Sequence, residues 1–389
     1  MSAESAKIAF CLIGDSDIRP FNLSPRERLR RSFARVGIET ELTPADLETW
    51  DGSAILIRAD YVMDDGLAAA MVNAVGIALQ AADGRIVAAH GEGRESLRAA
   101  FGVVAEGADA AAAGFAAQDA IELASTYRKA LRKRARPILA HVENVDVRAV
   151  EKLLFDGSYK GVTDVVTKYV WPAPALMATR WCARHGVSPN TVTWISLGCV
   201  VLATALFWHG WFLSGLIAAW GMCFLDTVDG KLARCTLTST KLGDVFDHGI
   251  DLLHPPFWYY AWFAGLGVAL AAPLSWALWV VILGYVAGRL QEGLFIWRFG
   301  IEIHTWRPVD SWVRLITARR NPNLLILTAA ALMRAPDTGL ELVAWWTILS
   351  FGFHAVRIVQ AFRAQLAGRP PKSWLQAPLD AKAGEAKAP

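Results

Sequence analysis

From about residue 190 to residue 362 the chain is built of apolar blocks divided by short polar or charged stretches. Each block approaches the roughly 20 residues that a helix needs to cross a bilayer. No other feature restricts the fold as strongly, because a chain in hydrocarbon must satisfy its backbone groups internally, as helices or a closed barrel. The expected spans are 191–209, 212–233, 244–268, 274–297, 322–334 and 340–362. Composition agrees: 54% of the 389 residues are hydrophobic and 17 are Trp. Just ahead of the first span, PALMATRWCARHG (174–186) mixes apolar residues with Arg180, Arg184 and His185. That mixture predicts an amphipathic helix lying at the membrane interface.

Basic residues are placed unevenly around these blocks. Lys231, Arg234 and Lys241 fall between the second and third spans, and Arg298, Arg307, Arg314, Arg319 and Arg320 between the fourth and fifth. Arg363, Arg369 and Lys372 follow the last, whereas the loops near 210, 270 and 336 hold almost none. The positive-inside rule then puts both termini in the cytoplasm of a multi-pass protein of the cell (inner) membrane. An even number of spans fits. A net charge of +3 gives no reason to expect a nucleic-acid partner. The five cysteines lack zinc-type or disulfide-framework spacing and read as free thiols. The opening MSAESAKIAFCLIGD has no long apolar core of a signal peptide.

Residues 1–155 have a different texture. KIAFCLIG, SPRERLRRSFARVG, AILIRAD and DGLAAAMVNAVGIAL alternate strand-like and helix-like runs, which predicts a soluble α/β domain. The expected organisation is this domain at 1–155, a linker and interfacial helix at 156–188, a six-helix membrane domain at 189–366, and a Pro/Ala/Lys-rich tail at 367–389 without fixed structure.

Inside the second and third spans lies DTVDGKLARCTLTSTKLGDVFDHGID, residues 226–251. A carboxylate at mid-membrane costs about 2.5–3.5 kcal/mol on insertion scales. Here Asp226 and Asp229 share one helix face with residue 233, while Gly243, Asp247 and Asp251 share another. The short connection 235–242 makes the two helices antiparallel neighbours, so the four carboxylates converge. They cannot all stay ionised without compensating cations, and hard oxygen ligands suit Mg²⁺, Mn²⁺ or Ca²⁺. Two such ions could clamp a diphosphate. Gly230 and Gly243 would leave room for a nucleotide, and Arg234 offers a planar donor fork for phosphate. A plain ion-pair network with Lys231, Arg234 and Lys241 would leave the excess of carboxylates unexplained.

The pattern Asp226-x₂-Asp229-Gly230-x₂-Ala233-Arg234-x₈-Gly243-x₃-Asp247-x₃-Asp251 resembles the signature of the CDP-alcohol phosphotransferases at every fixed position. Ser188-Pro189-Asn190-Thr191-Val192-Thr193 resembles the family's entry to its first span. The resemblance, over roughly residues 170–365, implies six transmembrane helices and a homodimer. It implies transfer of a phosphoalcohol or phosphatidyl group from a CDP-alcohol donor to an acceptor hydroxyl, with release of CMP, in phospholipid or inositol-phosphate-type synthesis. It also implies two Mg²⁺ or Mn²⁺ ions on Asp226, Asp229, Asp247 and Asp251, and a CDP pocket lined by Gly230, Ala233, Arg234 and Gly243. Asp251 would be the base that deprotonates the acceptor. Asp-His-Gly-x-Asp resembles the choline- and ethanolaminephosphotransferases and makes His248 the other candidate. Arg289, Glu292, Arg319, Arg320, Asn321 and Asn323 are candidates for the acceptor pocket, since relatives using an inositol phosphate bind its phosphate with basic residues in this region. For Arg319 and Arg320, setting the topology is the equal alternative.

The N-terminal domain resembles an eroded sugar-1-phosphate nucleotidylyltransferase. Gly14 and Arg19 follow the first strand, Pro25-Arg26 stands where Pro-Lys is usual, and Asp60 and Asp146 occupy the places of metal-binding aspartates. The whole is similar to bifunctional inositol-1-phosphate cytidylyltransferase/phosphotransferases, which implies that this domain makes the CDP-alcohol from CTP, or is a remnant that does not. Two other functional classes fit the residues less well. A cation transporter would need ionisable groups along a through-path, and these are confined to one end of the bundle. Like a non-catalytic scaffold, it also leaves the glycines, Ala233 and Arg234 of the pattern unexplained.

Overall fold

The computed structural model describes residues 7–143 and 145–377. The chain divides into two compact units, one of residues 1–130, 134–159 and 234–237, the other of 131–133, 160–233 and 238–389.

The first unit is a mixed sheet with helices on both faces. Its strands are β1 (Ile8–Ile13), β2 (Glu41–Leu42), β3 (Ser53–Arg58), β4 (Tyr61–Met63), β5 (Ile77–Gln80), β6 (Ile86–Glu92) and β7 (Ala116–Asp119). All but β4 form one sheet in the order β2-β1-β3-β6-β5-β7. β1 and β3 run parallel with Phe10 opposite Ile55, and β6 returns antiparallel to β3. The helices are α1 (Pro25–Arg35), α2 (Asp65–Val72), α3 (Arg94–Phe101), α4 (Ala120–Leu123) and α5 (Val147–Gly157). Because side chains alternate along a strand, Phe10, Leu12, Ile55 and Ile57 meet Leu29 and Phe33 of α1 and Leu67 of α2 on one face. Ala9, Cys11, Ala54 and Leu56 meet Leu97 of α3 on the other. The near-continuous apolar runs of β1 and β3 are those of strands covered on both sides.

The second unit is helical: α6 (Pro172–Arg184), α7 (Pro189–Trp208), α8 (Phe212–Cys235), α9 (Lys241–Gly265), α10 (Ser275–Phe299), α11 (Pro308–Arg314), α12 (Arg320–Leu332) and α13 (Pro336–Leu366). Helices occur at all the expected spans and at the expected interfacial segment. Among the described residues four of them, α7, α8, α10 and α13, are long and apolar enough to cross a membrane. α9 has the length, at 25 residues, but its acidic first half lowers its hydropathy. α12 has only 13 residues, about 20 Å at 1.5 Å per residue. α11 was not expected from the sequence. The tail expected to lack structure carries a 3-10 turn at Trp374–Gln376, with Leu375 buried and Trp374 Nε1 donating to Ser311 Oγ at 3.0 Å. Residues 378–389 lie outside the described residues.

Local chemistry sets the helix ends that matter for function. Ser188 caps α7 by accepting from Thr191 N at 3.1 Å, with Pro189 in the first turn. Thr240 caps α9 in the same way through Gly243 N at 3.0 Å. α9 continues through Pro255 and Pro256. Each proline removes the N–H that would serve the carbonyl four residues earlier, here those of Asp251 and Leu252. The Tyr285 hydroxyl of α10 lies 3.3 Å from the first and 3.0 Å from the second, and shares its one proton between them in partial replacement of the missing amides. Tyr285→Phe should therefore destabilise the helical unit by about 0.5–1.5 kcal/mol, the net worth of a typical hydrogen bond at a partly exposed site. Thermal unfolding of the detergent-solubilised protein reads this as a lowered midpoint.

Candidate functional site

α8 carries Asp226 and Asp229 on one face, and α9 carries Asp247 one turn beyond Gly243. Asp226, Asp229 and Asp247 offer ligand oxygens that all lie within 4.8 Å of one another. Asp229 is 3% exposed. Its Oδ2 accepts from the Thr193 hydroxyl at 2.7 Å, while its Oδ1 is buried and has no hydrogen-bond partner among the described residues. A buried carboxylate oxygen without a donor is costly unless a cation completes it. With hard oxygen donors from three carboxylates, these residues fit a divalent ion of the Mg²⁺ or Mn²⁺ kind.

Asp251 is not one of the trio but adjoins Asp226, so its carboxylate belongs to the same acidic cluster. Its Oδ1 accepts from Arg320 Nη1 at 2.5 Å, and Arg320 Nη2 donates to Asp226 Oδ2, also at 2.5 Å. One guanidinium from the first residue of α12 thus bridges the first and last carboxylates of the pattern. The sequence singled out Arg320, but for the acceptor or for topology. Its pairing with the acidic stretch was missed because nothing local to residues 226–251 signals a partner on a distant helix. Thr193, read only as part of a helix entry, turns out to hold Asp229.

The other residues of the pattern are placed as follows. Gly243 lies against α7: a Cβ there would come within 3.0 Å of Asn190 Oδ1 and 3.0 Å of Thr240 Oγ1. Gly230 and Ala233 are half-buried on α8, and His248 is exposed on α9. Arg234 groups with the first unit, where its Nε donates to the Ser158 carbonyl at 3.1 Å. Asn321 donates to Asp164 Oδ1 at 2.9 Å and Asn323 to the Tyr259 hydroxyl at 2.7 Å, so both amides are engaged within the protein. Burial raises the Asp164 pKa, but Arg314 and the hydrogen bonds from Thr167 and Asn321 win and hold it below the ordinary carboxylate value.

A second charged group surrounds Glu292 of α10. It accepts from Arg289 Nη2 at 3.2 Å and from Arg319, and His304 Nε2 lies 3.1 Å away. Arg314, 6% exposed, joins the same electrostatic neighbourhood. The Nε atoms of Arg289, Arg314 and Arg319, and Nη1 of Arg314, are buried without a partner among the described residues. Guanidiniums here outnumber the acids that face them.

In the first unit Asp60, at the end of β3, brings together His141 and Glu143. Arg58 Nη2 donates to Asp60 Oδ2 at 2.5 Å, and His141 Nε2 lies 3.0 Å from the same oxygen. Asp146, expected beside Asp60, instead caps α5, accepting from Arg148 N at 3.1 Å. The residue that reaches Asp60 is Glu143, three positions earlier. Arg26 Nη1 donates to the Gly14 carbonyl at 3.0 Å, closing the loop after β1, and Arg19 is exposed. Gly14, at φ 77°, takes the left-handed conformation that glycine allows without strain. Burial pushes the Asp60 pKa up, but Arg58 and His141 outweigh it and leave the carboxyl below its ordinary 3.8. The stabilisation from Asp60 is therefore complete above pH 3.8 and is lost as pH falls through the lower folded value. Hydrogen exchange of peptides covering β4 and its partner strand Leu139–His141 should show constant protection down to about pH 4 and loss below it. Asp60→Asn should show the weakened protection already at neutral pH.

The family model for CDP-alcohol phosphatidyltransferases matches residues 186–356. Ethanolaminephosphotransferase 1 of Pongo abelii is 33% identical over 107 residues, covering 24% of this chain and 25% of that protein. Archaetidylinositol phosphate synthase of Pyrococcus horikoshii is 28% identical over 170 residues, covering 43% and 82%. This chain thus spans about a quarter of the first relative's length and most of the second's. Among solved structures, Mycobacterium tuberculosis phosphatidylinositol phosphate synthase with CDP-DAG bound is 17% identical, with a TM-score of 0.39, covering 47% of this chain and 92% of that one.

Proposed function

Residues 186–356 belong to the CDP-alcohol phosphatidyltransferase family, and from that premise we propose that the chain transfers a phosphoalcohol or phosphatidyl group from a CDP-linked donor to a hydroxyl. The observation that carries this is the meeting of Asp226, Asp229 and Asp247 within 4.8 Å, with an unpartnered oxygen on Asp229. These residues would hold Mg²⁺ or Mn²⁺, which when bound offsets the charge of the donor's diphosphate and polarises its phosphoryl oxygens.

The chain's own groups do the rest. Gly230, Ala233 and Gly243 are the proposed lining of the nucleotide pocket, and Arg234 is the proposed donor to its phosphates. The acceptor oxygen attacks the phosphorus that bears the alcohol, a new P–O bond forms, and the bond to the CMP oxygen breaks. The proton of the acceptor passes to Asp251, through the carboxylate oxygen that Arg320 does not hold, or to His248, the residue after Asp247 in sequence. At 40% side-chain exposure Asp251 is open enough to meet an incoming hydroxyl.

The guanidiniums around Glu292 favour an acceptor that carries an anionic group, such as a polyol phosphate. Nε and Nη1 of buried Arg314 have no acceptor among the described residues. The enzyme is placed in the cell membrane with six spans, both termini cytoplasmic, and as a homodimer. For the first unit, the convergence of Asp60, His141 and Glu143 supports a second activity, synthesis of the CDP-alcohol from CTP and an alcohol phosphate. Pyrophosphate release from that pair tests it.

The main reading is tested by incubating the full chain with Mg²⁺ or Mn²⁺, a panel of CDP-alcohols, and acceptors with and without phosphate, and measuring CMP. CMP should appear with at least one pairing, and Asp226→Asn, Asp229→Asn or Asp247→Asn should each cut its rate by about 100-fold or more, beyond the usual loss from outer-shell changes at metal sites. Silence across the whole panel would sink the proposal. For a phosphorylated acceptor, Arg314→Met should raise KM roughly tenfold or more while leaving kcat little changed, the loss of a charge-assisted bond made equally before and during reaction.

A further inference from the structure

The segment that follows α13 turns back onto the helical unit and docks there. The chain leaves α13 through Gly368, in the left-handed conformation at φ 73°. Beyond it Ser373 and Leu375 are only 3% and 2% exposed, and Leu375 fills a groove lined by Gly161, Val162 and Leu315. Trp374 Nε1 donates to Ser311 Oγ at 3.0 Å, and the same hydroxyl donates to the His304 carbonyl at 2.8 Å. The Ser311 hydroxyl thus receives one proton and gives its own, which fixes its direction from both sides. His304 Nε2 lies 3.1 Å from Glu292 Oε1, and Arg314 stands three positions after Ser311 on α11. The docked segment therefore bears on two members of the charged group around Glu292.

We propose that Trp374 and Leu375 are positioning residues for the acceptor: docked, they fix α11 and the turn at Ile303–Thr305, and so aim Arg314 and His304 at the acceptor's anionic group. The proposal rests on reading the guanidiniums around Glu292 as an anion site. α11 has seven residues, too few for a helix to hold its own shape in isolation. Ser311 and Leu315, four positions apart, lie on one side of it, and both meet the docked segment. Contact at both points sets the rotation of α11 about its axis, and with it the direction in which Arg314 leaves the backbone. That direction matters because Nε and Nη1 of Arg314 have no acceptor among the described residues to hold them. Such a guanidinium is aimed by its backbone, and aiming completed during folding is not charged to the ligand on binding. Two other contacts keep α11 in place: Arg357 Nη2 of α13 donates to Asp310 at 2.8 Å, and Val165 N to the Leu315 carbonyl at 2.9 Å. Loss of the docked segment should therefore misdirect Arg314 without unfolding the unit.

The test separates anion binding from turnover. Inorganic phosphate is titrated into the full chain in detergent by calorimetry. Trp374→Phe, which keeps a ring and removes the donor, should weaken phosphate binding about threefold or more. Leu375→Ala, and a chain ending at Arg369, should weaken it about tenfold or more. Leu375→Met, which conserves volume, should restore it to within about twofold. The Trp374→Phe effect should vanish in a Ser311→Ala background, because the two residues share one hydrogen bond. In turnover, KM for a phosphorylated acceptor should rise by the same factors, while kcat and KM for the CDP-alcohol stay within about twofold. Where the shortened chain does not fold, the Trp374→Phe and Ser311→Ala cycle decides alone. Phosphate binding that depends on Arg314 by Arg314→Met, but is equal with and without the docked contacts, would overturn the inference only. So would a donor KM that rises together with the acceptor KM. Phosphate bound no better by the unaltered chain than by Arg314→Met would overturn the anion-site reading and the inference with it. Binding that depends on both, with no CMP release, would leave the inference standing and sink only the proposed reaction.

Discussion

Negative charge inside an apolar helical bundle has to be matched by positive charge, and the second unit is organised around that requirement. Asp226, Asp229, Asp247 and Asp251 stand on helices whose other faces are built of Leu, Phe, Trp and Ala. Two kinds of match are provided within the protein. Arg320 reaches two of the carboxylates directly, and Thr193 satisfies one oxygen of a third. What remains is the space among three carboxylates. That remainder defines the site more sharply than the presence of four acids does.

The same accounting explains positions well away from the carboxylates. Pro255 and Pro256 strip amides from α9 one turn beyond Asp251, and Tyr285 partly replaces them from α10. Glu292 on α10 is matched by Arg289, Arg319 and His304. Asp310 is matched by Arg357, at 2.8 Å through Nη2. In water each of these groups could be left to the solvent. In a bundle of this kind each needs a named partner, so the polar residues fix how the helices register against one another. The cluster around Glu292 differs in one respect, because its guanidiniums have donors left over, and unspent donors are where an anion from outside would bind.

Much of this was legible in the sequence, and the boundary follows from the range of each signal. Apolar blocks gave all the expected spans as helices, because their periodicity is local and strong. The alternation in KIAFCLIG and AILIRAD gave the α/β unit for the same reason. The acidic pattern named the three converging carboxylates, since spacings of three and four residues decide which side chains share a helix face. Partners from afar were not readable: Arg320 meets Asp226 across 94 positions and Asp251 across 69. Asp146 was misplaced for a subtler reason. A carboxylate just before a helix suits a cap as well as it suits a ligand, and only the backbone of the preceding strand shows that Glu143 is the residue turned toward Asp60. The tail was judged by composition, which cannot register that Leu375 and Trp374 find a groove to fill.

The shortness of α12 becomes intelligible from the same constraint. With 13 residues it is too short to cross a bilayer of about 30 Å, and by hydropathy alone it looks like a flawed span. Its first residue, however, is Arg320, and Arg320 touches Asp226 and Asp251, which lie well inside α8 and α9. The helix therefore starts at the level of the carboxylates instead of at the ends of its neighbours. The segment leading to it is not regular helix throughout, but Ile301, Ile303, Trp306 and Thr317 are buried within the protein, the one setting in which irregular backbone is tolerated at membrane depth. A longer α12 would carry residue 320 away from the acids and leave Asp226 and Asp251 without their arginine. Its start is set by where a positive charge is needed, at Asp226 and Asp251.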